Sequence, residues 1–241
     1  MESSEWPKAI FYDSKTTLFD WNPVWIKACS DILARCEASV DNEEFQKTWL
    51  EFLVRLNCRH AFAEYRTFTD LLRESLAGAF KQFDIPSNPD DVKLMAGAWN
   101  EVQLFPETLS ALAKQQEMTR VVIFSNVETE YLQMMVSKLH GFKPDFVGDM
   151  DQANALKPSP RAYYWVLKKI GLDVKDVLYC ARPQWDVQAA MALGMKGVWL
   201  NRAQYRAGTK EALKGVKPDY EVADLHGVTK IIESLRKGGN R

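Results

Sequence analysis

The chain has 241 residues, 46% of them hydrophobic and 26% charged, with a formal net charge of -1. That length can bury the core of a full α/β domain plus a smaller insert, and the composition excludes a disordered chain. Charge is balanced without a long single-sign run, and no apolar run is long enough to span a bilayer, so neither nucleic acid nor a membrane is an expected partner.

The first residues are polar and acidic, without the apolar segment of a secretory signal. A first strand is predicted over residues 9–12. It ends in a carboxylate, Asp13, with Thr17 four residues on and the apolar pair Leu18-Phe19 after it. A carboxylate at the C-terminal end of a leading strand sits where open α/β sheets place their chemistry, and Asp13 there can act as a nucleophile.

From residue 21 to residue 99 the periodicity is helical. Trp25, Cys29, Ile32 and Cys36 form one apolar stripe, Phe45, Trp49, Phe52 and Leu56 another, and Phe68, Leu72, Leu76 and Phe80 a third. This segment reads as an all-helical insert, and its tryptophans as packing residues. The sheet domain resumes near Leu104, with a helix over 109–115. Short apolar strands follow at 121–124, 177–180 and 197–200, and a weaker one at 146–147. Short buried strands alternating with helices predict a Rossmann-like, doubly wound parallel sheet, so the fold class is α/β. The domains expected are a core of residues 1–20 and 100–241 and a helical cap of residues 21–99. The tail from Arg236 reads as frayed.

The four cysteines, Cys29, Cys36, Cys58 and Cys180, make no metal-finger spacing, which fits a reducing, cytoplasmic setting. Cys29 and Cys36 read as buried helical thiols and Cys180 as an inert one in a strand. His60, His140 and His226 match no triad or metal spacing.

Four strand ends supply polar groups: Asp13 with Thr17, Ser125-Asn126, Lys157-Pro158 opening a helix that carries Tyr163, and Trp185-Asp186. A carboxylate nucleophile needs a nearby cation, donors to orient it, and a second carboxylate to place the lysine or a water. Simpler roles compete. Ser125-Asn126 can cap the next helix, Lys157-Pro158 can be a helix-start signal, and Asp186 can pair with Arg182.

These four elements, in this order and with a helical insert between the first and second, resemble the haloacid dehalogenase superfamily, and within it the L-2-haloacid dehalogenase branch. The resemblance covers nearly the whole chain. It implies that Asp13 attacks a halogen-bearing carbon, that water then hydrolyses the ester, and that no metal or other cofactor takes part. It implies Asp13, Lys157 and Asp186 as catalytic residues. Thr17, Ser125, Asn126 and Tyr163 would orient them or bind a small anionic substrate, with Leu50, Tyr65 and Trp185 along the pocket and a homodimer as the assembly.

The chain departs from the branch at the same site. Lys15 stands where dehalogenases carry an aromatic residue and phosphatases an acid, and Thr16 replaces a glycine. Gln46 falls at the cap arginine, with Arg55 or Arg59 as substitutes from another turn. Ala181 and Pro183 replace the Ser and Asn that position water, leaving Arg182 and Gln184 to compensate. Lys15 reaching Asp13 would add a second positive charge beside it. These changes predict weak turnover of simple 2-haloacids. The alternatives are non-hydrolytic acid/base chemistry (isomerisation, cyclisation or elimination) or a non-catalytic anion-binding protein; Lys15 disfavours a magnesium-dependent phosphatase.

Overall fold

The structure is a computed structural model that describes residues 6–88, 90–203 and 217–238. It begins with β1 (Ala9–Tyr12), every residue of which is fully buried. Burial on both faces explains why this strand is continuously apolar rather than alternating. A two-residue strand, β2 (Phe19–Asp20), leads into the helices α1 (Asn22–Arg35), α2 (Asn42–Ala61), α3 (Phe68–Phe83) and α4 (Asp90–Gly97). Local signals set their starts. The Asp41 side chain accepts from Glu44 N ahead of α2, and Thr67 accepts from Asp70 N ahead of α3. Their apolar stripes pack together, Trp21 against Trp25 and Trp99, and Trp25 against Trp49.

After a single 3₁₀ turn at Ala98–Asn100 the chain returns through β3 (Gln103–Leu104), antiparallel to β2. This pair is absent from the sequence reading, because two residues carry no period to detect. It ties the exit and return of the helical segment together: Leu18 O also accepts from Phe105 N and Thr108 Oγ1.

The remaining elements alternate: α5 (Thr108–Gln116), β4 (Arg120–Ser125), α6 (Thr129–Ser137), β5 (Phe146–Asp149), α7 (Met150–Ala153), α8 (Pro160–Ile170), β6 (Val177–Ala181), α9 (Gln184–Ala192), β7 (Lys196–Leu200), β8 (Tyr220–Val222) and α10 (Leu225–Gly238). Among the described residues the main sheet has six strands, all parallel, in the order β5-β4-β1-β6-β7-β8. The chain runs to one side of β1 through β4 and β5, and to the other through β6, β7 and β8. The crevice at the C-terminal end of β1 is therefore the switch point of the sheet.

β8 is a strand the sequence reading did not anticipate. The tail is also better ordered than that reading had it, because Arg236 and Lys237 belong to the last turn of α10, where cations suit the carbonyl end of a helix; residues 239–241 lie outside the described residues. Cys29 and Cys180 are buried, but Cys36 is only half-buried, at the end of α1. Burial pushes the Cys29 thiol up to about 12 and Cys180 higher still, so both are inert near neutrality.

Candidate active site

Asp13 follows β1 directly, and its backbone N–H still donates to Cys180 O at 3.2 Å, so the β1–β6 ladder fixes its position. Its carboxylate is gripped on both oxygens. Thr17 Oγ1 donates to Oδ2 at 3.0 Å and Lys157 Nζ to Oδ1 at 2.9 Å. The same ammonium donates to Asp186 Oδ2 at 2.6 Å and to the Tyr179 hydroxyl at 3.1 Å, which uses all three of its protons. Asp186 Oδ1 accepts from Tyr163 at 2.5 Å and Tyr179 at 2.8 Å. Lys157 and Asp186 are fully buried, and Asp13 is 5% exposed.

One cation between two carboxylates leaves this cluster net negative, and each proton in it is held tightly. Burial alone would pull the Lys157 ammonium down, but Asp13 and Asp186 overcome it and raise its pKa. Burial raises the Asp186 carboxyl against the pull of Lys157. Tyr163 and Tyr179 are pushed well above the usual phenol range, first by burial and then by Asp186.

Asn126 holds Lys157 by its backbone: Asn126 Nδ2 donates to Lys157 O at 2.8 Å and Lys157 N to Asn126 Oδ1 at 2.8 Å. Neither Ser125 nor Asn126 caps α6, whose N-cap is Glu128. Ser125 Oγ instead meets Ser14 Oγ at 2.5 Å. Lys157-Pro158 precedes α8 rather than opening it, since Ser159 is the N-cap and Pro160 takes the first turn. Asp186 pairs with Lys157, not with Arg182. The Arg182 backbone N–H instead donates to Thr17 Oγ1 at 3.0 Å, and its Nε to Thr16 Oγ1 at 3.2 Å.

Asp13 faces a cavity of about 270 Å³. One wall comes from the core, with Lys15, Thr16, Asn126, Arg182, Pro183, Gln184, Trp185 and Gln188. The other comes from the helical segment, with Trp25, Leu50, Leu53, Val54, Asn57 and Phe68. Of the anticipated residues, Lys15, Leu50, Asn126, Arg182 and Trp185 thus join Asp13 on the wall. Thr17, Ser125, Lys157, Tyr163 and Asp186 lie in the layer behind it. Gln46 and Tyr65 do neither. Gln46 is buried against Asn22, donating to Asn22 Oδ1 at 3.2 Å, and the Tyr65 hydroxyl bonds Asp151. Arg55 does not replace a cap arginine, because it lies on the surface against Glu51, and Arg59 is exposed.

Lys15 behaves differently from its sequence reading. Its Nζ donates to Asn126 O at 3.0 Å and sits 3.6 Å from the centre of the Phe68 ring. Burial lowers its pKa to about 7, against the upward pull of Asp13 and with Lys157 adding to the fall. Its charge is thus not a permanent second cation beside Asp13. Thr16 takes φ +62°, the left-handed region that glycine adopts freely, so the side chain that replaces the family glycine sits on a strained backbone.

The sequence reading missed Tyr179 and Asn57. Tyr179 lay inside an apolar strand and passed for core, although a buried tyrosine needs a partner for its hydroxyl. Asn57 shares a helical stripe with Leu50 and Leu53, where a polar residue on an apolar face was the available signal; its Oδ1 accepts from Asn126 Nδ2 at 3.2 Å.

No protein-family model matches the chain. It is 25% identical over 232 residues to (S)-2-haloacid dehalogenase 4A of Burkholderia cepacia, covering 94% of this chain and 92% of that one. It is also 25% identical over 232 residues to haloacetate dehalogenase H-2 of Moraxella sp. (strain B), covering 93% and 97%. Over nearly its whole length the chain is thus similar to haloacid dehalogenases, at low identity. Its fold superposes with a TM-score of 0.79, at 20% identity and covering 95% and 99% of the two chains, on the L-2-haloacid dehalogenase from Xanthobacter autotrophicus with chloropropionic acid covalently bound. The protein is haloacid dehalogenase-like, and the low identity marks it as a divergent relative of these named dehalogenases. Among the described residues, no cluster of His, Cys, Asp and Glu side chains is placed to hold a metal ion, and no helix is long and apolar enough to cross a membrane.

Proposed function

We propose that the protein transforms a small organic acid through a covalent ester on Asp13, without a metal. The grip on Asp13 carries this reading. With Oδ1 held by Lys157 and Oδ2 by Thr17, the carboxylate is fixed in rotation and turned to the cavity floor. An Asp13 oxygen attacks the carbon that bears the leaving group, and that group departs with the bonding electron pair. Water then adds to the ester carbonyl and frees a hydroxy acid. Lys157 Nζ takes the place between the two carboxylates where a bridging cation would otherwise be needed. In this reading residues 21–99 are a cap on a core of residues 1–20 and 100–241, and Lys157 and Asp186 serve the chemistry from behind Asp13.

Ala181 and Pro183 favour a second reading, in which no hydrolytic water is held and Asp13 serves as acid or base in an isomerisation, cyclisation or elimination. The deciding measurement is intact-protein mass spectrometry after incubation with 2-chloropropionate, with Asp13→Asn as control. An added propionate mass on the wild type alone, with at most slow release of chloride, is the expected result. Neither adduct nor halide would reject the nucleophile and leave the second reading.

A further inference from the structure

The ester reading leaves a gap in its second half. Water that cleaves the Asp13 ester must lose a proton, and the residues that hold it in the family are Ala181 and Pro183 here. The cavity wall contains three ionisable groups among the described residues: Asp13, Lys15 and Arg182. Asp13 is consumed as the ester, and a guanidinium does not deprotonate in proteins. Lys157 has its protons committed to Asp13, Tyr179 and Asp186, and Asp186 lies behind the wall, accepting from Lys157, Tyr163 and Tyr179.

We propose, resting on the ester reading, that Lys15 is the general base of the hydrolytic step. As an amine it keeps one N–H on Asn126 O and has its lone pair available to the cavity that it shares with Asp13. Water adds to the ester carbonyl carbon of Asp13 while Lys15 Nζ takes its proton. The tetrahedral intermediate collapses by breaking the carbonyl–alkoxy bond. The alkoxide recovers the proton from Lys15, and the Asp13 carboxylic acid releases its own to solvent. No oxidant, reductant or further reactant is needed.

The surroundings suit this duty. Asp13 and Glu128 favour the ammonium and Lys157 the amine; Arg182 lies on the same wall. From α3 the Phe68 face supplies a cation–π contact that keeps the protonated form within reach. Burial offsets these attractions, and a base that titrates to about 7 exchanges protons with least cost near neutral pH.

Two measurements on the intact chain decide it. The first is the rate of acetic anhydride labelling at Lys15 as a function of pH, read by peptide mass spectrometry; a midpoint near neutrality is expected, and the ordinary lysine value overturns the proposal. The second is breakdown of the 1-carboxyethyl ester on Asp13 after a pulse of 2-chloropropionate. In Lys15→Met and in Lys15→Arg, which keeps the charge but cannot act as a base, the ester should persist about 100-fold longer than in the wild type. Added ethylamine should partly restore breakdown in Lys15→Met. An ester that clears equally fast in all three proteins refutes the role of Lys15 alone. An Asp13 that never gains the ester refutes the ester reading and this proposal with it.

Discussion

Lys157→Met is the sharpest probe of the buried cluster. The substitution keeps the length and most of the volume of the side chain, so the cavity term is small. It removes an ammonium at 2.9 Å from Asp13 and 2.6 Å from Asp186, with both lysine and Asp186 side chains fully inaccessible. Removing one partner from a buried ion pair costs about 3–5 kcal/mol, because the other charge is left in a low dielectric. Here two carboxylates are stranded. Asp186, the more deeply buried of the two, responds by binding a proton. Burial already raises Asp186 in the wild type, and loss of Lys157 removes the force that opposes it. A carboxyl whose folded pKa lies above its unfolded value binds the extra proton in the native state. Stability then falls as pH rises through the folded pKa and recovers on acidification. The expected loss is therefore about 3–5 kcal/mol at pH 7.5 and distinctly smaller at pH 5. Urea unfolding of both proteins at the two pH values measures it, with unchanged m-values showing that ΔG alone has moved. A loss under about 1 kcal/mol, or one independent of pH, would refute the argument that Lys157 neutralises this pair.

Two further substitutions test the neighbours of Asp13. Tyr179→Phe takes one acceptor from Lys157 and one donor from Asp186, both buried, and should cost about 1–3 kcal/mol in the same unfolding assay; an unchanged midpoint would make Tyr179 mere packing. At Thr16 the backbone holds φ +62°, where a side chain costs about 1–2 kcal/mol and glycine nothing. Thr16→Gly should therefore be more stable than Thr16→Ala by about 1 kcal/mol, the reverse of their usual order; Ala above Gly would show that the strain is absent.

The sequence by itself determined the layers of this protein and the place of its candidate nucleophile. The strands around β1 are short runs buried on both faces, so their residues are apolar without alternation and their limits show in one dimension. Helical stripes such as Phe45, Trp49 and Phe52 are equally local. Asp13 and Ser125 were legible because one follows and the other ends such a run, and Lys157 and Asp186 because they stand ahead of α8 and in the first turn of α9. The tertiary structure decided the rest, because it depends on which residues meet across the chain. Tyr179 looks like core until Lys157 and Asp186 arrive beside its hydroxyl. Gln46 looks like a pocket residue until α1 brings Asn22 to it. β2 and β3 exist only as a pair. Lys15 is the clearest case: its charge follows from burial, from Asn126 O after β4 and from a ring on α3. Desolvation and Coulomb terms are set by three-dimensional distances, and no spacing along the sequence encodes them.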